Sequence, residues 1–149
     1  MITNVKAVTV FNGRTDGAAR RKIFIPTAIK GVSYAEGKGS RVADNGVWSG
    51  DVQYKIRVPL TAAIQEKRTY MPDLRYAGLD HEAAAGHWTI QKGDLLICEE
   101  YAGENSLLYE DEVTAYAKKR GLDLIRITEY ADNTVGGSRY TRHWRIGGK

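Results

Sequence analysis

Short runs in which apolar and polar residues alternate recur along this chain, and they constrain its fold more than any other feature. In the run VQYKIRVP, residues 52–59, every second side chain is apolar, and Gln, Lys and Arg lie between them. Because successive side chains of a β-strand point to opposite faces, this run predicts a strand with one packed face and one basic face. Residues 5–12, 122–132 and 139–147 alternate in a similar way.

Turn-forming residues separate these runs. The first run ends at Asn12-Gly13, a strand-then-turn signal, and RRKIFIP at residues 20–26 is expected to complete a hairpin with it. Pro26 is expected to end that strand, because proline has no N–H group to donate into a sheet. Weaker strand candidates follow at residues 29–35 and 38–43, before the turn signal at residues 44–46.

The second half of the chain predicts one helix among further strands. Residues 106–120 can begin at Ser106 as a cap, carry acidic residues near the start and basic residues in the last turn, and stop at Gly121. One face of this helix should cover the sheet through Leu108, Val113, Tyr116 and Ala117. Residues 87–90 and 95–100 predict two strands joined by a tight turn at residues 92–94, and 122–132 with 139–147 predict a final hairpin.

Together these elements predict a β-rich α+β fold. We expect a single domain over residues 1–149, built as a small antiparallel β-barrel or sandwich with one covering helix at about 106–120. Residues 60–86 follow neither the two-residue period of a strand nor the roughly 3.6-residue period of a helix, so we expect a long loop or arm there. We also expect proteases to cleave this segment first.

Charge and cysteine content narrow the classes of function. Residues 1–60 hold ten Lys and Arg against four Asp and Glu, so the excess of the +4 net charge lies in this part. Such a surface can face nucleic acid or an acidic protein. Cys98 is the one cysteine, so no disulfide can form within the chain, and a reducing compartment is expected. The chain has no apolar run of about 18 residues and no signal-peptide pattern, so we expect a soluble protein.

No motif for catalysis stands out. The chain lacks GxGxxG, GxxxxGK[ST], GxSxG and HExxH patterns, so we predict no enzyme activity, catalytic residue, metal site or cofactor. Cys98 lies in an apolar run and is expected to pack as a small apolar side chain. A hydrolase built around His143 and nearby carboxylates is a third alternative.

Binding of single-stranded nucleic acid is a stronger alternative. Strands, one helix and a final hairpin are also the order of an OB-type barrel, and exposed aromatic and basic residues can bind a strand by stacking and charge. Against this alternative, Tyr and Trp at alternating strand positions are more often core residues than stacking platforms. The candidate interaction surface comprises Arg20, Arg21, Lys22, Lys55, Arg57, Arg142, His143, Trp144, Arg145 and Lys149.

The ending RHWRIGGK, residues 142–149, with the preceding Asp132-Asn133 and Gly136-Gly137-Ser138, resembles that of a family of small uncharacterised proteins from phages and prophages of Gram-positive bacteria. VWSGDVQYKIRVP at 47–59, and Trp88-Thr89-Ile90 followed by Lys92-Gly93-Asp94, fit the same pattern. The resemblance covers most of the chain and is weakest over residues 60–85.

This resemblance implies a structural protein of virion assembly. The implied class is head–tail joining, head closure or tail completion, by a homo-oligomer or ring that contacts portal, head-closure or tail subunits. Contact with DNA is compatible with the class, and no membrane is involved. The implied location is the virion and, during assembly, the cytoplasm of the host bacterium.

Overall fold

The computed structural model describes residues 6–16, 20–42, 48–105, 107–134 and 142–149. Strands and helices account for most of these residues. The strands are β1 (Lys6–Asp16), β2 (Arg21–Val42), β3 (Trp48–Pro59), β4 (Ala63–Ile64), β5 (Thr69–Tyr70), β6 (His87–Trp88), β7 (Leu95–Ile97), β8 (Leu108–Tyr109), β9 (Ile125–Asn133) and β10 (His143–Gly148). The α-helices are α1 (Asp73–Ala77), α2 (His81–Ala84) and α3 (Glu110–Lys119), and Gln65–Lys67 form a 3-10 turn.

Six of the strands close into a ring. The order is β1-β7-β9-β10-β3-β2, β1 and β2 complete the circle, and every neighbouring pair is antiparallel. β4 and β8 pair with other parts of β2. The predicted β-rich antiparallel fold is therefore confirmed, and the closure of the ring favours the barrel over the sandwich.

β2 contributes to two sides of this ring because it bends at Gly31. Residues before the bend pair with β1, and residues from Ser33 onward pair with β3. The register with β1 shifts between Lys6 and Ala7, opposite Gly31, whose φ is 83°. A bulge of this kind bends a strand and increases its twist, and the positive φ favours glycine.

The interior of the ring is packed with apolar side chains from alternating strand positions. As predicted for residues 52–59, Tyr54, Ile56 and Val58 are buried, while Gln53 and Lys55 are exposed. The remaining buried members of this core are Val8, Val10, Ile29, Val32, Trp88, Ile90, Leu96, Ile125, Ile127, Trp144 and Ile146. The ring therefore encloses a packed core.

α3 covers the outside of β1, β2 and β7. Its buried residues Val113 and Ala117 pack on a second apolar cluster that includes Phe11 and Phe24. The predicted helix is confirmed, with Gly121 at φ 68° after its end, but it begins at Glu110. Leu108 and Tyr109 pair with β2 instead, and Ser106, the predicted cap, lies outside the described residues.

The turn predicted at Asn12-Gly13 is wrong. β1 runs through both residues to Asp16, because the Asn12 side chain is buried and bonded on both of its ends to Thr89. A Cβ atom on Gly13 would lie 3.0 Å from Asp94 Oδ1, so this glycine permits a close approach inside the strand. The hairpin between β1 and β2 is nevertheless confirmed.

The predicted end of the second strand at Pro26 is also wrong. The Pro26 carbonyl accepts a hydrogen bond from Arg68 Nη1 (2.7 Å), and Ala28 N donates to Gln65 Oε1 (3.0 Å). These groups lie on the edge of β2 between its pairings with β8 and β4. Because side chains replace a neighbouring strand at this point, the missing N–H of proline is tolerated there.

The two strands predicted around residues 92–94 do not pair with each other. β6 pairs in parallel with β5, whereas β7 pairs with β1 and β9 and ends at Ile97. The predicted turn is present, with Gly93 at φ 90°. The final hairpin between β9 and β10 is confirmed, and its connecting residues 135–141 lie outside the described residues.

Residues 60–86, predicted as a long loop or arm, contain short elements that pack onto the ring. Tyr76 and Ala84 are fully buried in a small cluster with Ile25. Arg14 of β1 holds this region, since its guanidinium donates to Tyr76 O (2.6 Å) and to Leu79 O. That this segment is the first to be cleaved by proteases stays a prediction.

Replacing Arg14 by alanine should loosen α1 and α2 without opening the ring. The variant loses three hydrogen bonds from a charged donor, to Tyr76 O, Leu79 O and His81 Nδ1, and this should destabilise the segment locally by at least about 2 kcal/mol. Limited proteolysis with mapping of the cut sites measures this effect. The matched control is Arg75→Ala, which removes an exposed arginine of α1 itself; equal cleavage of the two variants between residues 72 and 86 would contradict the expectation.

Candidate functional site

A row of basic side chains lies on the outer face of β3 and β10. Lys55, Arg57, His143 and Arg145 occupy strand positions that alternate with core residues, so they point away from the interior. With Ser33, Tyr34 and Ile56 they line an open depression of about 270 Å³. We call the four basic residues and Ser33 the basic strip.

Two arginines of the basic strip are direct neighbours across the sheet. Arg57 and Arg145 are register partners in the β3–β10 pair, and Ser33 is the register partner of Arg57 on β2. Like charges placed directly opposite each other in an antiparallel pair are destabilising. The fold therefore retains an unfavourable contact at this point, which an anion bound between the guanidinium groups would relieve.

Ion pairs neutralise several cations elsewhere in the described part of the chain. Arg126 contacts Glu110 (2.6 Å), and Lys30 contacts Glu100 (3.3 Å). Arg21, Arg68 and Arg120 also have carboxylate partners. Among the side chains that the structure describes, no carboxylate lies within 4.0 Å of the charged nitrogens of Lys55, Arg57 or Arg145.

The three predicted basic residues of the first hairpin do not join this strip. Arg20 is exposed in the turn immediately before β2 and has a positive φ of 53°. Arg21 lies 3.9 Å from the centre of the Tyr109 ring and pairs with Asp111 at 3.3 Å, so it fastens β2 to the start of α3. Lys22 is exposed and lies over the edge of the second apolar cluster, 5.3 Å from the Phe24 ring centre.

Some side chains of the C-terminal ending, residues 142–149, lie on the surface and others lie in the core. Trp144 is 9 % exposed, and its ring lies 5.1 Å from that of Trp88 and 5.0 Å from that of Tyr70. It is therefore a core residue and not part of the exposed surface that we predicted. The Arg142 carbonyl accepts a hydrogen bond from Leu60 N (3.3 Å), and the backbone of Lys149 pairs with that of Arg126, so both residues anchor the ends of β10.

The sequence predicted strands at residues 38–43 and 52–59, but it did not indicate the second surface feature, a two-stranded ribbon at the far ends of β2 and β3. Gly37–Val42 of β2 pair with Trp48–Gln53 of β3, and within the described residues neither run pairs with a third strand. β10 pairs with β3 only from Tyr54 onward. We call these two runs the ribbon; residues 43–47, which join them, lie outside the described part.

The sequence also did not single out a buried carboxylate, Asp94. Its Oδ1 accepts from Gly13 N (3.1 Å), and its Oδ2 accepts from Asn12 Nδ2 (3.2 Å) and Gln91 Nε2 (2.8 Å). Burial raises the pKa of Asp94 to about 6, although these hydrogen bonds and the charge of Lys22 act in the opposite direction. The backbone carbonyl of Asp94 also accepts from Ile127 N, so this residue ties β1, the turn before β7 and β9 together.

Residue types associated with catalysis have ordinary contacts. Cys98 is half-buried against the main core. His81 Nδ1 accepts from Arg14 Nε (3.2 Å), and His87 Nδ1 lies 3.2 Å from Thr69 O. In the described residues, no three His, Cys, Asp or Glu side chains come close enough to share a metal ion. No described helix is long and apolar enough to cross a membrane.

Comparison with known proteins gives one match. A family model for a family of unknown function, DUF6751, matches residues 2–149. Neither the curated proteins nor the solved structures yield a match to this chain. Because the family model covers nearly every residue, the ring, the ribbon and the basic strip all lie within the matched region. The chain belongs to DUF6751, a family of unknown function.

Proposed function

We propose that this protein is a structural component of phage or prophage virion assembly. Its class is head–tail joining, head closure or tail completion, and it acts by contacts between protein subunits without an enzyme activity. The observation that carries the proposal is the ribbon, whose two outer edges have no strand partner in the described residues.

An unpaired strand edge presents a row of backbone N–H and C=O groups that can bind a strand of another subunit. The six residue pairs of the ribbon extend about 20 Å at 3.3 Å per residue. A two-stranded hairpin alone is marginally stable in water, so a ribbon of this length gains stability when a further strand pairs with it. A subunit of a ring or neck structure needs such an extension.

The rest of the fold suits a passive, stiff subunit. The ring interior is filled by core side chains such as Val10, Ile29 and Leu96, each fully buried. A partner or ligand must therefore bind on the outside of the ring, where the ribbon and the basic strip lie. The resemblance of residues 142–149 to phage and prophage proteins supports a place in the virion, with portal, head-closure or tail subunits as partners.

A module that binds single-stranded nucleic acid is the second candidate, and the basic strip is the observation in its favour. Base stacking needs exposed aromatic side chains beside the cations. Trp88 is 1 % exposed and packs edge-to-face on Trp144 in the core. Two of the three tryptophans therefore cannot stack on a base. We therefore rank this function below assembly.

Mass measurements on intact and ribbon-shortened protein test the assembly proposal. In the shortened variant, Lys38–Val52 are replaced by Asn-Gly, which suits the two-residue turn of a hairpin between Gly37 and Gln53. The intact protein should form higher-order species as its concentration rises or when portal or tail proteins are added, and the shortened protein should remain monomeric. Thermal unfolding serves as the folding control, because the pairings of the ring are unchanged.

Identical behaviour of the two proteins would count against the ribbon as the assembly element. An intact protein that stays monomeric at every concentration and binds none of the structural proteins would overturn the proposal. The neighbouring genes offer an independent check, since a portal or capsid gene alongside is expected.

A further inference from the structure

We infer that the basic strip binds the phosphate backbone of duplex DNA without reading its sequence. The inference starts from the spacing of the cations. Arg57 and Arg145 are cross-strand partners, at a strand separation of about 4.8 Å, and Lys55 lies two residues along β3, about 7 Å away. Each DNA strand carries a phosphate every 3.4 Å of the helix axis, so neighbouring phosphates fall within reach of all three cations.

The cations of the strip are also available to a ligand. Lys55 and Arg145 are exposed, Arg57 is half-exposed, and none has a carboxylate partner among the described side chains. Guanidinium groups bind phosphate oxygens in a bidentate manner. The Ser33 hydroxyl lies in the same depression and adds a neutral donor of the kind that contacts DNA backbones.

An acidic protein would need a different surface. Protein interfaces are centred on buried aromatic or aliphatic anchors, whereas protein–DNA interfaces are more polar and strongly positive. The exposed large apolar side chains in the described residues are Leu60, Leu74 and Leu107, and none of them lines the depression of the strip. The apolar residues that do line it are Ile56, which is buried, and Tyr34, which is half-buried, so neither offers an exposed anchor. The strip therefore matches a phosphate backbone better than a protein partner.

Duplex DNA fits the strip better than a single strand. Single-strand binders stack unpaired bases on aromatic side chains next to the cations. Among the described side chains of β3 and β10, the aromatic ones are Tyr54 and Trp144, and both are buried on the opposite face. Tyr34 of β2 lines the depression, but its ring is half-buried against the main core and Lys6 Nζ lies 4.2 Å from its centre. One half-buried aromatic ring does not form a run of stacking platforms, whereas the cations and hydrogen-bond donors of the strip suffice for binding that does not depend on sequence.

Fluorescence anisotropy with a labelled duplex of arbitrary sequence tests the inference. The intact protein should bind, and its affinity should fall steeply between about 50 and 200 mM salt. The variant R57Q/R145Q should bind at least about tenfold more weakly, with a log–log salt slope lower by about two, because two phosphate contacts are lost. Its melting temperature should equal or exceed that of the wild type, because a like-charge pair is removed.

The matched control is K118Q/K119Q, which removes two exposed cations from the end of α3. This variant should bind duplex DNA like the wild type. Equal weakening of both double variants would overturn the strip as the site. Tighter binding of oligo(dT) than of duplex would favour the single-strand reading, and binding of poly-glutamate with no binding of DNA would favour an acidic protein; either result overturns the inference.

DNA binding is measured on the protein alone, without any partner subunit. A negative result therefore leaves the assembly proposal standing, and a monomeric protein that binds duplex DNA would refute assembly without affecting the strip.

Discussion

The free energy of unfolding is expected to fall by about 3 kcal/mol between about pH 4 and about pH 7 through Asp94 alone. The carboxyl group has a pKa of 3.8 as its ordinary value and about 6 in the folded protein, where burial disfavours its charge. As the pH rises, the unfolded chain loses this proton first, so the unfolded state binds fewer protons across the window. Stability that is fully present below pH 3.8 is therefore lost as the pH passes 6.

Urea unfolding at a series of pH values measures this slope. Asp94→Asn has no charge to titrate, so its stability should change less across the window, and the difference between the two profiles isolates Asp94. Glu104→Gln is the control, because Glu104 is exposed and its replacement should leave the wild-type profile unchanged. Parallel profiles for wild type and Asp94→Asn would show that the buried carboxyl is not the source.

Replacing Trp144 by alanine should cost about 3 to 5 kcal/mol of unfolding free energy, because it empties the centre of the aromatic cluster with Tyr70 and Trp88. Trp144→Phe should cost much less. The indole Nε1 is buried and has no hydrogen-bond partner among the described residues. Removing an unsatisfied buried donor offsets part of the lost packing.

Chemical denaturation of the two variants, beside Arg145→Gln, measures these costs. Arg145 is the next residue on β10 but points outward, so its replacement should leave stability unchanged or slightly higher. Comparing Trp144 with Arg145 distinguishes the contribution of the C-terminal ending to the core from its contribution to the surface. A small effect of Trp144→Ala, or a large effect of Arg145→Gln, would contradict the placement of the two side chains.

Local sequence patterns predicted the elements whose signals are themselves local. The alternation at residues 52–59 predicted which side of β3 is buried, and the charge distribution with Gly121 predicted α3. These features depend on strand geometry and on the helix dipole, which act within one element. The hairpin of β9 and β10 followed for the same reason.

Features that depend on distant partners could not be predicted. Asn12-Gly13 has the composition of a turn, but Asn12 is held inside β1 by Thr89, a partner 77 residues away. Pro26 stays within a strand because Arg68 and Gln65 supply the edge of β2 with side-chain hydrogen bonds. No pattern within β1 or β2 contains this information.

The candidate site was predicted in its residue types but not in its arrangement. Lys55, Arg57 and Arg145 were all named from the sequence, yet only the β3–β10 register places Arg57 opposite Arg145. The same list included Trp144, because alternation alone does not tell which face of a strand is outermost when both carry large side chains. One strand of the ribbon, at residues 38–43, was predicted from weak signals in a glycine-rich stretch, but its pairing with residues 48–53 was not.

The central proposal, that this protein acts in virion assembly through its ribbon, is tested most directly in an inducible prophage that carries the gene. The gene is deleted, and particles are counted by electron microscopy after complementation with the intact protein or with the variant that lacks Lys38–Val52. We expect the deletion to leave unjoined or incomplete particles that the intact protein rescues and the shortened protein does not. A normal yield of complete, infectious particles from the deletion strain would contradict the proposal.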